Sequence, residues 1–189
     1  MKQGAMFGLD ARIALAIFGA LSVISGAALY SAIQDSKVIA IITELQEVAK
    51  AHEQYYLDTG ELLSVKTGHF LDVNELISST KNGWEGPYLP YGMSDPVNGY
   101  TLTNTNFPET YLNIMQYNDA AFGNSTNATP CGTPCYSFLR LGKVPVEIAD
   151  AIDAKVDGEN DRLNGKVRVY VESTDPTKKI VFYKSLKLN

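Results

Sequence analysis

Four groups of residues in this chain have the types and spacing for chemistry. Cys131 and Cys135 stand in Cys-Gly-Thr-Pro-Cys and are the only two cysteines. Asp153, Asp157, Glu159 and Asp161 crowd one Gly-containing stretch. His52 and His69 are the only histidines. Asp10 and Arg12 stand immediately before an uncharged run.

Each group has a preferred chemistry. Two cysteines beside a polar loop predict a structural disulfide between Cys131 and Cys135. No further Cys or His is near enough in sequence to complete a zinc site, and the Cys-x3-Cys spacing is not that of a thioredoxin-like redox pair. Hard carboxylate oxygens on a Gly-containing loop can hold Ca²⁺, so Asp153, Asp157, Glu159 and Asp161 are candidate calcium ligands. They do not follow an EF-hand pattern, and a solvated acidic loop is the competing reading. His52 falls on the apolar face of a helix and is expected to pack there. His69 lies in a Gly-flanked loop. Neither histidine belongs to a nucleophile, metal or phosphate motif, and the chain is expected not to be an enzyme. A net charge of −5 without a basic stripe argues against a nucleic-acid partner. Lys178, Lys179, Lys184 and Lys187 are expected to face solvent. Asn124 and Asn127 each begin an Asn-x-Thr sequon, which fits a surface loop.

These residues need a scaffold. Residues 13–34 are twenty-two in number and contain no Asp, Glu, Lys or Arg. That is long enough to cross the roughly 30 Å of a bilayer core as one helix. A cleaved signal peptide has a shorter apolar core and a loop at its cut. Here the run passes straight into an amphipathic pattern. Val38, Ile41, Ile42, Leu45, Val48, Ala49, His52, Tyr55 and Tyr56 line one face, and Lys37, Glu44, Glu47, Lys50 and Glu53 lie between them. Gly60 is the stop. One helix over residues 9–58, roughly 75 Å long, is predicted.

Beyond it, residues 70–79 read as a short helix. Residues 99–104, 111–117, 136–141, 167–171 and 179–186 read as strands, and 146–155 as an amphipathic helix. Gly83-Trp-Glu-Gly-Pro-Tyr-Leu89 and Asp95-Pro-Val-Asn-Gly99 are loop and turn signals. Trp84 and Tyr88 are suited to pin that loop onto the long helix. The expected fold class is α+β: a long N-terminal helix packed on a small antiparallel sheet.

This layout resembles the type IV pilin superfamily, which includes pilins and the pseudopilins of type II secretion. The similarity rests on Leu15-Ala-Ile-Phe-Gly-Ala-Leu-Ser22, on the Gly-Trp-x-Gly-Pro-Tyr-Leu segment before an Asp-Pro turn, and on Ile152-Asp-Ala-Lys-Val-Asp157 before a strand. If Gly19 occupies the family's mid-segment glycine, Asp10 falls at the fifth mature position. Cleavage then lies between Ala5 and Met6; a cut between Gly4 and Ala5 would make Asp10 the sixth residue. The acid is Asp where the family has Glu, and Arg12 is a charge where the family is apolar.

The resemblance implies four regions: a leader at 1–5, a transmembrane and assembly half-helix at 6–34, an amphipathic half-helix at 35–60, and a globular domain at 61–189. It further implies a prepilin peptidase that cuts and methylates the N-terminus, and an inner-membrane assembly platform. The subunit would wait in membrane lipid with its domain in the periplasm, then join a homopolymeric filament in the periplasm or at the cell surface. Asp10 would meet the α-amino group of a neighbouring subunit, and Gly19 would lie in the helix packing. Calcium on the acidic loop is implied by the major pseudopilins. The alternative is a single-pass anchored binding or adhesion module that never polymerises.

Overall fold

The computed structural model describes residues 6–92, 99–102, 110–120, 122, 131–158 and 161–189. They fall into two compact units, divided between Ile39 and Ala40. Helix α1, Met6–Thr59, contributes to both. It matches the predicted span to within a few residues at each end. Gly60 ends it with positive φ (68°), and its N–H donates to the Tyr56 carbonyl at 2.9 Å. A left-handed residue just past a helix end is what glycine supplies without a Cβ penalty.

In the first unit, residues 13–33 of α1 are uncharged and exposed on every side. In the second, one face of the same helix is buried. Ile41, Leu45, Val48, His52 and Tyr55 recur at alternating steps of four and three and are almost wholly inaccessible.

The second unit is a six-stranded antiparallel sheet with strand order β1-β2-β3-β4-β6-β5. The strands are β1 (Val65–Thr67), β2 (Phe70–Leu71), β3 (Tyr111–Asn118), β4 (Cys135–Pro145), β5 (Val167–Glu172) and β6 (Asp175–Lys187). Helix α2, Val146–Asp157, follows β4 and packs on β4, β5 and β6. It ends on Gly158 in the left-handed region (φ 81°).

Register sorts the side chains into two faces. Leu112 and Ile114 stand opposite Leu141 and Leu139, which stand opposite Val181 and Tyr183, and these face Val169 and Val167. All eight are buried. The intervening positions form a second, aromatic core: Met115, Tyr117, Phe138 and Phe182, with Phe70, Phe122, Tyr136 and Tyr170 against it. Period-two alternation therefore feeds two cores from one sheet.

Two expectations change, and one strand is new. Residues 70–79 are not one helix. Phe70–Leu71 pairs with β1 and β3, and only Val73–Leu76 is helical, as a 3₁₀ turn whose cap Asp72 accepts from the Asn74 N–H. Pairing of Phe70 with Met115 captures the start of that stretch, and a tertiary contact overrides local helical spacing. The 99–104 segment contributes a single bridge, Leu102 with Leu112, among its described residues. Strand β1 had no signal at all, being three exposed residues.

Lys187 faces solvent as expected, but two other lysines do not. Lys179 is buried. Lys184 sits between Asp119, at 2.6 Å, and the Tyr136 ring.

His52 has 0% exposure, and neither ring nitrogen has a hydrogen-bond partner among the described residues. Burial pushes it down from 6.5 to about 4. Asp153 moves the other way: burial first, then the charges of Asp157, Asp161 and Asp150, push it up to about 6. Below pH 6.5 the unfolded chain holds more protons at His52 than the folded one, so this group removes stability as pH falls towards 4. Asp153 contributes stability that is complete below 3.8 and lost as pH rises through 6, so the two oppose each other between about pH 4 and 6. A variant isolates the first. In urea titrations of the full chain in detergent, wild type should lose up to about 1.4 kcal/mol per pH unit relative to His52→Leu between pH 6.5 and 4. Parallel pH curves for the two proteins would refute a neutral, unpartnered His52.

Candidate functional site

The first candidate is the half-helix itself. Asp10 and Arg12 are exposed, as are Leu15, Phe18, Leu21, Val23, Ile24 and Leu29. Phe18 is 73% and Val23 74% exposed, a degree that water does not tolerate over a continuous stretch. Each such side chain gains about 1.5–3 kcal/mol on leaving water. The stretch is long and apolar enough to cross a membrane. Gly19 is unexplained by its own copy: a Cβ there would meet nothing within 4 Å, and the same holds at Gly8 and Gly26. Glycine inside a helix costs about 1 kcal/mol relative to alanine. Met6 opens the helix. Gly4 and Ala5 lie outside the described residues.

The second is the loop at the other end of α1. Trp84 Nε1 donates to the Glu75 carbonyl at 2.8 Å, and Tyr88 OH donates to Asp58 at 2.9 Å. The Tyr88 ring meets Tyr55 and Trp84 edge-on, with centroids 6.1 and 5.9 Å away. Tyr88 pins this loop onto the helix as predicted, whereas Trp84 is bonded to the 3₁₀ turn and stacks edge-on against Tyr88. Gly83 makes it fit. Its φ is +80°, and a Cβ there would collide with the Asp58 carbonyl.

A residue without a sequence signal organises the surroundings. The Glu75 carboxylate accepts from Tyr55 OH at 2.6 Å and from the Ser64 N–H at 3.3 Å, and it pairs with Lys81 at 3.4 Å. Burial raises the Glu75 carboxyl, but those donors outweigh it and hold it below its ordinary value. Burial and the Glu75 bond push Tyr55 up to about 12. The Asp95-Pro-Val-Asn98 part of the turn lies outside the described residues; Gly99 has positive φ (48°).

The third is the disulfide. Cys131 and Cys135 are joined, with Cα atoms 5.6 Å apart, as predicted. Cys135 is also the first residue of β4, and its backbone N–H donates to the Asn189 side chain at 2.7 Å. Nearby, Asp119 takes Arg168 and Lys184, each at 2.6 Å. Burial raises the Asp119 carboxyl, but Lys184 and Arg168 together hold it below the usual range. Both sequons, at Asn124 and Asn127, lie outside the described residues.

The fourth is the acidic segment. Asp153 is fully buried and both its oxygens are unpartnered among the described residues. Asp157 accepts from the backbone N–H groups of Lys166 and Val167, at 3.1 and 2.8 Å. Asp161 accepts from the Leu163 N–H and the Asn164 side chain, at 3.2 and 2.9 Å, and these bonds hold its carboxyl below the usual value. Asp150 is held by Arg162 through two bonds, 3.0 and 2.6 Å. Glu159 lies outside the described residues. Among the described residues, no three His, Cys, Asp or Glu side chains are placed to share a metal ion. The electrostatic crowding is real, but each described carboxylate except Asp153 has a local donor.

The chain matches no family model, no curated protein and no solved structure. What it displays is a long apolar N-terminal helix followed by an antiparallel sheet, an architecture consistent with that of pilin-like proteins.

Asp157 has a task that sequence reading missed. Strand β5 is at the sheet edge, and its outward N–H groups need partners. Asp157 takes Val167, and the Arg162 carbonyl takes Val169 at 2.9 Å. The signal available was an Asp at the end of an amphipathic helix shortly before a strand, and it reads equally well as a metal ligand. Asp157→Ala should cost about 1–3 kcal/mol, because it leaves a buried N–H without an acceptor. Asp157→Asn, which keeps one oxygen, should fall between. Urea midpoints of the three proteins test this; an Asp157→Ala chain as stable as wild type would remove the capping role.

Proposed function

We propose that this protein is the structural subunit of a type IV pilus-like filament or type II secretion pseudopilus. The observation that carries the reading is the half-helix: apolar on all sides, uncovered in its own copy, and charged only at Asp10 and Arg12. Such a surface has two physical outlets, lipid and other copies of itself. The subunit uses them in turn. It waits in the inner membrane with its domain in the periplasm, then packs its half-helix among others in a filament core. A prepilin peptidase removes residues 1–5 first, and an assembly platform drives insertion. The Gly-Trp-x-Gly-Pro-Tyr-Leu segment favours the secretion pseudopilus over an extracellular pilus.

The glycines favour polymerisation over simple anchorage. Lipid does not drive helices together by the hydrophobic effect, so association depends on close backbone approach at small residues and on polar pairing. Gly8, Gly19 and Gly26 leave such room and serve no packing within the copy. An anchor that never polymerised would be more stable with alanine. Asp10 supplies the polar pairing, since a carboxylate at the membrane edge is costly until it meets a cation. That pairing fixes axial register.

Three measurements bear on the proposal. Mass spectrometry of the intact protein from envelope fractions should find a chain starting at Met6 or Ala5 and carrying an N-methyl group; retention of residues 1–5 would leave an ordinary anchored domain. Asp10→Ala should leave the subunit stable in the membrane and abolish filaments, and normal filaments from it would remove the register role. Gly19→Leu should block assembly while Gly19→Ala leaves the unassembled helix at least as stable, by up to about 1 kcal/mol; full assembly of Gly19→Leu would place Gly19 outside the interface.

A further inference from the structure

Asp10 needs a cation, and the chain carries one two residues away. Arg12 is the only other charged side chain in residues 6–34, and it too is exposed. The two lie within continuous helix α1. At about 100° per residue they point about 200° apart, to opposite sides of the cylinder, so they cannot pair within one copy. One helix therefore presents an acid on one side and a base on the other, at heights differing by only about 3 Å.

Resting on the filament reading above, we propose that Asp10 of one copy pairs with Arg12 of the next. The occupant of each charged face is a second copy of this chain. Complementary groups on opposite sides form a head-to-tail contact, which repeats from copy to copy instead of closing on a pair. Guanidinium is suited to this, because its planar fork takes a carboxylate through two bonds. A slip by one helical turn, about 5.4 Å, would leave both ions unpaired in an apolar bundle, so the pair selects a single register. The contact needs no free α-amino group. It gives Arg12 a function where an unpaired cation would otherwise oppose assembly.

Charge exchange tests this with the full chain in its native membrane. The readout is the amount of detergent-resistant multimer recovered by sedimentation. Asp10→Arg alone and Arg12→Asp alone should each reduce multimers at least tenfold, since like charges then face each other. The double exchange, D10R together with R12D, should restore them to within about twofold of wild type. Co-expression of the two single variants should also restore them, because one chain is then acidic at both positions, the other is basic at both, and they complement on both sides. If the α-amino group is instead the partner of Asp10, the double exchange stays inactive, co-expression rescues nothing and Arg12→Ala assembles normally. Any of these results overturns the pairing while leaving the filament reading intact. A wild-type chain that yields no multimers overturns both.

Discussion

The first half of α1 has nothing in its own copy to bury against. Residues 13–34 are uncharged, and their large side chains stand open on all sides. Each large side chain that leaves water gains about 1.5–3 kcal/mol, so the segment favours an apolar surrounding. The segment is long and apolar enough to cross a membrane as one helix. The chain's other features are then read according to what surrounds the segment.

The sheet domain answers a different constraint. A twisted sheet with two buried faces needs cover on both. Residues 41–55 of α1 and helix α2 supply apolar side chains to one core, and the aromatic cluster around Phe138 and Phe182 forms the other. Polar groups are then gathered at three carboxylates. Glu75 ties the end of α1 to the loop carrying Trp84, Asp119 joins β5 and β6 through Arg168 and Lys184, and Asp157 caps an edge. Glu75 and Asp119 are stabilised as ions because each half-buried carboxylate has several donors. Asp153 is the instructive contrast, pushed up to about 6 among its acidic neighbours.

Elements with strong period or strong stop signals were readable before the structure. The span of α1, α2, the four longer strands and the Cys131–Cys135 bridge all follow from spacing and composition. So does the docking of Tyr88 onto the end of α1. What failed was of another kind. Phe70 became strand because Met115 faces it, and β1 exists only by pairing with β2; no window of sequence contains those partners. Glu75 and Asp119 became hubs through contacts with residues up to 65 positions away. Asp157 reads from sequence as a candidate metal ligand, and its bonds to the Lys166 and Val167 amides become visible only once the neighbouring backbone is seen. The residues proposed for assembly are the reverse case: Asp10 and Arg12 are exposed and Gly19 packs nothing in its own copy, yet all three stand out in sequence.

The sealed border of the sheet carries a consequence for crowding. On one side β1 is three residues long and carries Lys66; on the other, the amides of Val167 and Val169 are occupied by Asp157 and the Arg162 carbonyl. Neither side offers a long, bare row of hydrogen-bonding groups to another strand. A second chain meeting either edge therefore finds a poor template for cross-β growth. An added strand finds few free amides at either described edge of the sheet.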